Sequence, residues 1–212
     1  MEIDVNESGA RAAQPAVGRR ALLGAGVGGA ALSLLPFLGG TAAAAAPTDE
    51  TTTPPKRPTE ADSGLLAQAQ QLELTAQALY DLALAVSGWS EEQAVVITYL
   101  REAHQAYANS LSGLLGRAAP GIVSQAVLDA LTSDFSDSVG SVLAAAYELE
   151  AAAVATHGDL LSQLVGTDAA ALIASIQMNE ARFGTVLADL AGDPDEAQLL
   201  VTTDAESLVG QL

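Results

Sequence analysis

Three glutamates and one histidine in this chain fall where helical periodicity predicts buried side chains. Glu73, His104, Glu150 and Glu180 each recur at three- or four-residue spacing with alanine, leucine, isoleucine or aromatic residues, so each belongs to an apolar helix face. A buried carboxylate is unfavourable unless a cation or a hydrogen-bond donor meets it, or unless it binds a proton. The pattern therefore predicts a polar centre inside the protein that is compensated in one of these ways.

The segments that carry these residues are predicted to be long helices. After residue 63, alanine, leucine, glutamine and glutamate dominate, and proline is nearly absent from the long segments. The first helix begins near Ser63. The second begins at Ser90, which can form a capping box with Gln93, and it stops at Gly116, a residue typical of the position just past a helix end.

Two further long helices follow a longer connection, which spans about 116–136 and holds a short helix. The third long helix runs from about 137 to 165. The fourth is capped by Thr167 or Asp168 and ends at Gly192. The sequence thus predicts an all-α fold, an antiparallel four-helix bundle. Each pair of helices is joined by a tight turn, and one longer crossover connects helices two and three.

The two helix pairs are similar in sequence, which suggests a duplicated helix hairpin. Glu73 aligns with Glu150, because both follow a leucine in a Leu-Glu-apolar triplet, and His104 aligns with Glu180 without gaps up to the terminal glycines. The separations within the two pairs are 31 and 30 residues. The four polar residues are therefore expected to converge at one level of the bundle.

This organisation resembles that of the small exported ferritin-like domains, over roughly residues 63–191. In that family, helices one and three each give a glutamate and helices two and four each give Glu-x-x-His, which together hold two metal ions. This chain departs from the motif, because Tyr107 and Phe183 stand where the two histidines belong. The resemblance thus implies a reduced site for one metal ion. Its candidate metal ligands are Glu73, His104, Glu150 and Glu180.

Two functions stay open at this point. In the first, the exported domain binds one iron or manganese ion in the bundle core and has weak or no oxidase activity, so whether it is an enzyme is undecided. In the second, Arg101, His104 and Tyr107 compensate the glutamates without a metal, and the domain is a non-enzymatic scaffold or partner-binding module. In both, His157 and Tyr80 are interpreted as packing residues.

Residues 18–40 have the composition of an export signal. Arg19 and Arg20 precede a moderately apolar, glycine-rich run, which is followed by a run of alanines suited to cleavage. This resembles a twin-arginine signal over residues 1–46, which predicts a secreted or otherwise extracytoplasmic protein. The alternative is an uncleaved signal that tethers the protein to a membrane.

Composition indicates how the remainder of the chain is organised and which kinds of partner it can have. Residues 47–62, rich in threonine and proline, predict a flexible linker, and residues 63–212 predict one domain whose last part, 195–212, forms another short helix. The net charge of −18 argues against nucleic acid as a partner, while a homo-oligomer or a protein partner stays open. The chain has no cysteine, which excludes disulfides, thiolate metal sites and lipid-modified cysteine.

Overall fold

A computed structural model describes residues 57–192 and 205–212 of the chain. The predicted signal at 1–46, most of the predicted linker at 47–62 and the first part of the predicted C-terminal helix lie outside the described residues. Within the described residues the protein is helical and contains no strand, which confirms the prediction of an all-α fold.

Four long helices and one short helix are present in the part of the chain that the structure describes. Their bounds are α1 Glu60–Leu84, α2 Glu91–Leu115, α3 Gln125–Leu131, α4 Val139–Leu161 and α5 Thr167–Ala191. Helices α1 and α2 pack along each other as one hairpin, and α4 and α5 pack as a second. The short helix α3 lies in the crossover between the hairpins and contacts α1. This is the predicted bundle with one longer crossover.

The predicted signals at the ends of α2 are present. Ser90 Oγ accepts a hydrogen bond from the Gln93 N–H, and Gln93 Oε1 accepts one from the Ser90 N–H, both at 3.1 Å. This reciprocal pair satisfies two donors that the helix itself cannot. At the other end Gly116 has a φ of 57°, which favours glycine because a Cβ would be strained there.

The apolar faces of the helices meet in one core. Helix α1 contacts α4, and α2 contacts α5, so the two hairpins bury their faces against each other. The largest fully buried apolar side chains include Leu66, Leu72, Leu79, Ile97, Leu100, Leu111, Leu149, Leu160, Ile173 and Ile176. Burial of such side chains contributes about 1.5–3 kcal/mol each relative to exposure, which makes packing the main stabilising term of a chain without disulfides.

The turn between α4 and α5 departs from the predicted boundaries. Helix α4 ends at Leu161 rather than near residue 165, and the cap of α5 is Gly166, not Thr167 or Asp168. The reason lies far away in sequence: the buried Asp62 of α1 accepts hydrogen bonds at 2.9 Å from the N–H groups of Val165 and Gly166. A Cβ on Gly166 would lie 2.9 Å from this carboxylate, so a larger residue there would displace the Asp62 side chain.

Helix α1 starts at Glu60, before the predicted start near Ser63, and so includes three residues of the predicted linker. At the other terminus, the described part of the C-terminal segment contains a single 3-10 turn, Val209–Gln211. Two hydrogen bonds hold this segment. The Leu208 N–H donates to Thr156 Oγ1 at 2.8 Å, and Ser124 Oγ donates to the Gln211 carbonyl at 2.6 Å.

Helix α4 is the one described helix that is long and apolar enough to span a bilayer by length and composition. Half of the window that meets this test is buried inside the bundle, and the helix carries two fully buried ionisable residues, Glu150 and His157. These features are those of a core helix in a helical bundle.

Candidate metal centre

Five ionisable side chains converge inside the bundle. Glu73 of α1, His104 of α2, Glu150 and His157 of α4 and Glu180 of α5 all have no solvent exposure. The structure therefore brings together all four residues that the sequence predicted at this level. It adds His157, whose interpretation as a packing residue is wrong.

His104 bridges two carboxylates. Its Nδ1 lies 2.7 Å from Glu73 Oε2 and its Nε2 lies 3.0 Å from Glu150 Oε1. Burial by itself lowers the pKa of His104, but the neighbouring Glu150 and Glu73 outweigh burial and raise that pKa well above its ordinary value of 6.5. The protonated imidazole can donate to both carboxylates, so His104 joins α1, α2 and α4 through one ring.

His157 contacts the other pair of carboxylates. Its Nδ1 lies 2.8 Å from Glu180 Oε2, and its Nε2 lies 3.2 Å from Glu73 Oε1. Burial lowers the pKa of His157, but Glu180 and Glu73 outweigh burial and raise the pKa to about 10. Glu73 thus lies between the two histidines.

The pKa values of Glu73 and Glu180 are shifted in opposite directions, because Glu73 contacts two histidines and Glu180 contacts one. Burial raises the pKa of Glu73, but the hydrogen bond from His104 and the close contact with His157 outweigh burial and lower it to about 2. Glu180 has only His157 as a cationic neighbour, and burial together with the charges of Glu73 and Glu150 raises its pKa to about 7. Three buried carboxyl groups face two imidazoles, so one further positive charge or proton is needed for neutrality.

Four buried side-chain atoms at this centre lack a hydrogen-bond partner: Glu150 Oε2 on one side, and three atoms on neighbouring residues. The three neighbouring atoms are Glu73 Oε1, His157 Nε2 and Glu180 Oε1. The 3.2 Å contact between Glu73 and His157 is close enough for an ion pair, but it is not aligned as a hydrogen bond. Each of the three residues offers a ligand atom within 4.8 Å of the others. Unpartnered buried atoms are unfavourable, and a shared cation would satisfy all three, so this triad fits a metal ion.

Tyr80 is part of the centre as well. Its hydroxyl is fully buried and donates to Glu150 Oε1 at 2.6 Å, and its ring stacks on His104 with the ring centroids 5.4 Å apart. Burial and the charge of Glu150 raise the pKa of Tyr80 well above its ordinary value, so the hydroxyl keeps its proton. The interpretation of Tyr80 as an ordinary packing residue is therefore incomplete.

The aromatic residues at the expected histidine positions form a wall beside the centre. The rings of Tyr107 and Phe183 stack with centroids 6.5 Å apart, and both direct an edge-to-face contact at His104, at 6.1 and 6.4 Å. In the part of the chain that the structure describes, Tyr107 makes ring contacts with this centre and no hydrogen bond to a glutamate. Tyr107 therefore does not take the role of a donor that the metal-free alternative gave it.

Arg101 does not compensate the buried glutamates. Its Nε donates to Asp81 at 2.8 Å and its Nη1 donates to Gln105 at 2.6 Å, both near the protein surface. The expectation that Arg101 neutralises the centre is therefore wrong. Arg101 is partly exposed and directs its guanidinium group toward Asp81 and Gln105, whereas His104 is buried.

One signal in the sequence would have identified His157. The internal alignment that places Glu73 on Glu150 also places Tyr80 on His157, because each follows its glutamate by seven residues, or two helical turns. Equivalent positions of a duplicated hairpin face the same centre. A histidine at one of them is thus a candidate for the same centre.

Comparison with known proteins agrees with this architecture. No curated protein and no solved structure gave a significant match to the sequence. A family model described as a ferritin-like domain matches residues 61–193, which is more than half of the chain and includes all four long helices. With its two packed hairpins and the inward carboxylates on α1, α4 and α5, the chain belongs to the ferritin-like domain family.

Proposed function

We propose that this ferritin-like domain binds one divalent transition-metal ion, iron or manganese, through Glu73, His157 and Glu180. The observation that carries the proposal is that these three residues offer ligand atoms within 4.8 Å of one another, and each of them also has one buried atom without a hydrogen-bond partner. One ion would satisfy them together and would supply the positive charge that three carboxyl groups and two imidazoles lack.

The donor set favours a particular class of metal. Two carboxylates and one imidazole suit iron, manganese and zinc, and no thiolate is present to select softer ions. In this proposal His104 and Glu150, which were predicted as ligands, support the site instead. His104 donates to Glu73 and orients it, as residues one step beyond a metal commonly do.

The surroundings of the triad support weak or absent oxidase activity. A bound iron or manganese ion supplies one-electron redox chemistry, and the protein determines what reaches it. The triad is fully buried, and the rings of Tyr107 and Phe183 cover one side of the neighbouring His104. We propose that the domain holds its ion rather than turning over a substrate rapidly, and that it does so outside the cytoplasm after twin-arginine export.

Metal content tests the proposal. The full chain, purified and dialysed against Mn²⁺ or Fe²⁺ without oxygen, should hold about one ion per chain by inductively coupled plasma mass spectrometry. Glu180→Gln removes a ligand charge and should reduce the content at least tenfold. Glu148→Gln on the exposed side of α4 changes the same charge and should keep it. Equal metal content in wild type and Glu180→Gln would overturn the assigned triad.

A second candidate function is a scaffold or partner-binding bundle without metal. The observation that favours it is the set of four contacts between histidines and glutamates, at 2.7 to 3.2 Å, which compensate much of the buried charge by themselves. The same measurement separates the two candidates. A wild-type protein that takes up no metal under these conditions would favour the scaffold.

A further inference from the structure

The centre consists of two corresponding groups of three residues. The internal alignment relates Glu73 to Glu150, His157 to Tyr80 and Glu180 to His104. The triad proposed to bind metal therefore has a counterpart, which we call the second triad. The second triad is Glu150, Tyr80 and His104.

The two triads make corresponding contacts across the hairpins. In the first triad, His157 of the second hairpin contacts Glu73 of the first hairpin at 3.2 Å. In the second triad, Tyr80 of the first hairpin contacts Glu150 of the second hairpin at 2.6 Å. The residue two turns after each glutamate thus reaches the glutamate of the opposite hairpin. The contacts follow the duplication that the sequence indicates.

The second triad differs from the first in how many ligand atoms are free. In the first triad one atom of each residue lacks a hydrogen-bond partner. In the second triad the Tyr80 hydroxyl donates to Glu150, and both nitrogens of His104 lie at hydrogen-bond distance from glutamates. Among the described residues of this triad, only Glu150 Oε2 is buried without a partner. One free atom does not make a site for an ion that needs several protein ligands.

We propose that Tyr80 and His104 close the second triad to metal by hydrogen-bonding to Glu150, and that this closure limits the domain to one ion. The inference rests on the proposed function, because it requires that the first triad binds metal. It assigns Tyr80 a role that goes beyond packing: Tyr80 determines the number of ions bound. His104 has two roles, since it also orients Glu73 of the first triad.

Making the two triads alike in residue type tests the proposal. The double variant Tyr80→His/His104→Glu gives each triad two carboxylates and one imidazole. The full chain is freed of metal by a chelator and then equilibrated with Mn²⁺ by dialysis. We expect about two ions per chain in the double variant and one in the wild type. The single variant Tyr80→His is less disruptive and should bind a second ion more weakly than the double variant.

The matched control is Tyr107→Phe, which alters a neighbouring tyrosine that touches His104 only through its ring and should keep one ion. Circular dichroism identifies variants that fold. If the double variant does not fold, the single variant decides. One ion in both the wild type and the folded variants would overturn this inference and leave the proposed function intact. Two ions in the wild type would overturn this inference and also the stoichiometry of one ion in the proposed function. No ion in the wild type would instead overturn the proposed function, and this inference with it.

Discussion

The hydroxyl of Tyr80 is fully buried and donates to a carboxylate, an arrangement that phenylalanine cannot reproduce. In the Tyr80→Phe variant Glu150 Oε1 keeps only His104 as a partner. We expect the free energy of unfolding of the metal-free protein to fall by about 1.5–3 kcal/mol, the usual range for a hydrogen bond to a charged group. Guanidinium denaturation of the wild type and the variant measures this difference in the free energy of unfolding. Tyr107→Phe should cost much less, and equal losses in the two variants would contradict the assigned donor role.

The stability of the metal-free protein should fall as pH rises above about 4.5. The pKa of Glu180 is raised from 4.5 to about 7, so its contribution is present below pH 4.5 and is lost as pH rises through 7. The pKa of His157 is raised from 6.5 to about 10, so its contribution is lost as pH rises through 10. The pKa of Glu73 is lowered from 4.5 to about 2, so its contribution is lost as pH falls toward 2.

Melting temperatures of the chelator-treated protein across pH 3–10 test the predicted direction of this pH dependence. The melting temperature should be highest near pH 4.5, and Glu180→Gln should flatten the decline between pH 4.5 and 7. Added Mn²⁺ should raise the melting temperature more at pH 8 than at pH 5, because metal binding requires deprotonated ligands. A melting temperature that rises steadily from pH 5 to pH 9 without metal would contradict the assignment.

Helical periodicity located the inward glutamates but could not identify their partners. Periodicity states which face of a helix a residue occupies, and contacts between helices depend on packing that no local pattern contains. His157 shows the limit: its own segment gives no reason to prefer a polar contact over packing. Only the alignment of the two hairpins, in which His157 corresponds to Tyr80, indicated that His157 faces the polar centre.

The helices themselves were predictable where local chemistry determines their ends. The capping box at Ser90 and the glycines at positions 116 and 192 act within one turn, and the structure has them as predicted. The start of α5 was not predictable in this way. The two residues just before α5, Val165 and Gly166, donate their N–H groups to Asp62, which is more than 100 residues away in sequence.

Asp62 should control the order of the turn between α4 and α5. Its carboxylate accepts two N–H groups near the N-terminus of α5, where a negative charge is also favoured by the helix dipole, and the Val165 bond in particular lowers its pKa. Asp62→Asn keeps the shape but offers one acceptor and places an NH₂ group against the other donor. We expect a lower melting temperature and faster amide hydrogen exchange at residues 162–168.

The exposed Asp159, close to the same turn, provides the control for Asp62. Asp159→Asn makes the same chemical change where the structure gives its side chain no role in capping α5. It should leave both the melting temperature and the exchange rates nearly unchanged. Unaltered exchange in Asp62→Asn would show that the turn is held by packing of the helices alone.

At the scale of the whole molecule, the proposed export signal links folding to location. The twin-arginine route carries folded proteins, so a bundle that closes around a buried ion is compatible with metal loading before export. Changing both Arg19 and Arg20 to lysine should trap the precursor inside the cell. Cell fractionation measures this, and N-terminal sequencing of the exported protein should find a start at residues 44–47. Normal export of the double-lysine variant would remove the twin-arginine assignment.

The contact between Asp62 and the α4–α5 turn also sets a limit on proteolytic trimming of the protein from its N-terminus. A cut after Thr59 deletes the residue whose side chain accepts the Asp62 N–H and whose carbonyl accepts the Ser63 hydroxyl. A cut after Asp62 also releases the turn on the opposite hairpin. A protease-resistant core of this protein should therefore retain both Thr59 and Asp62.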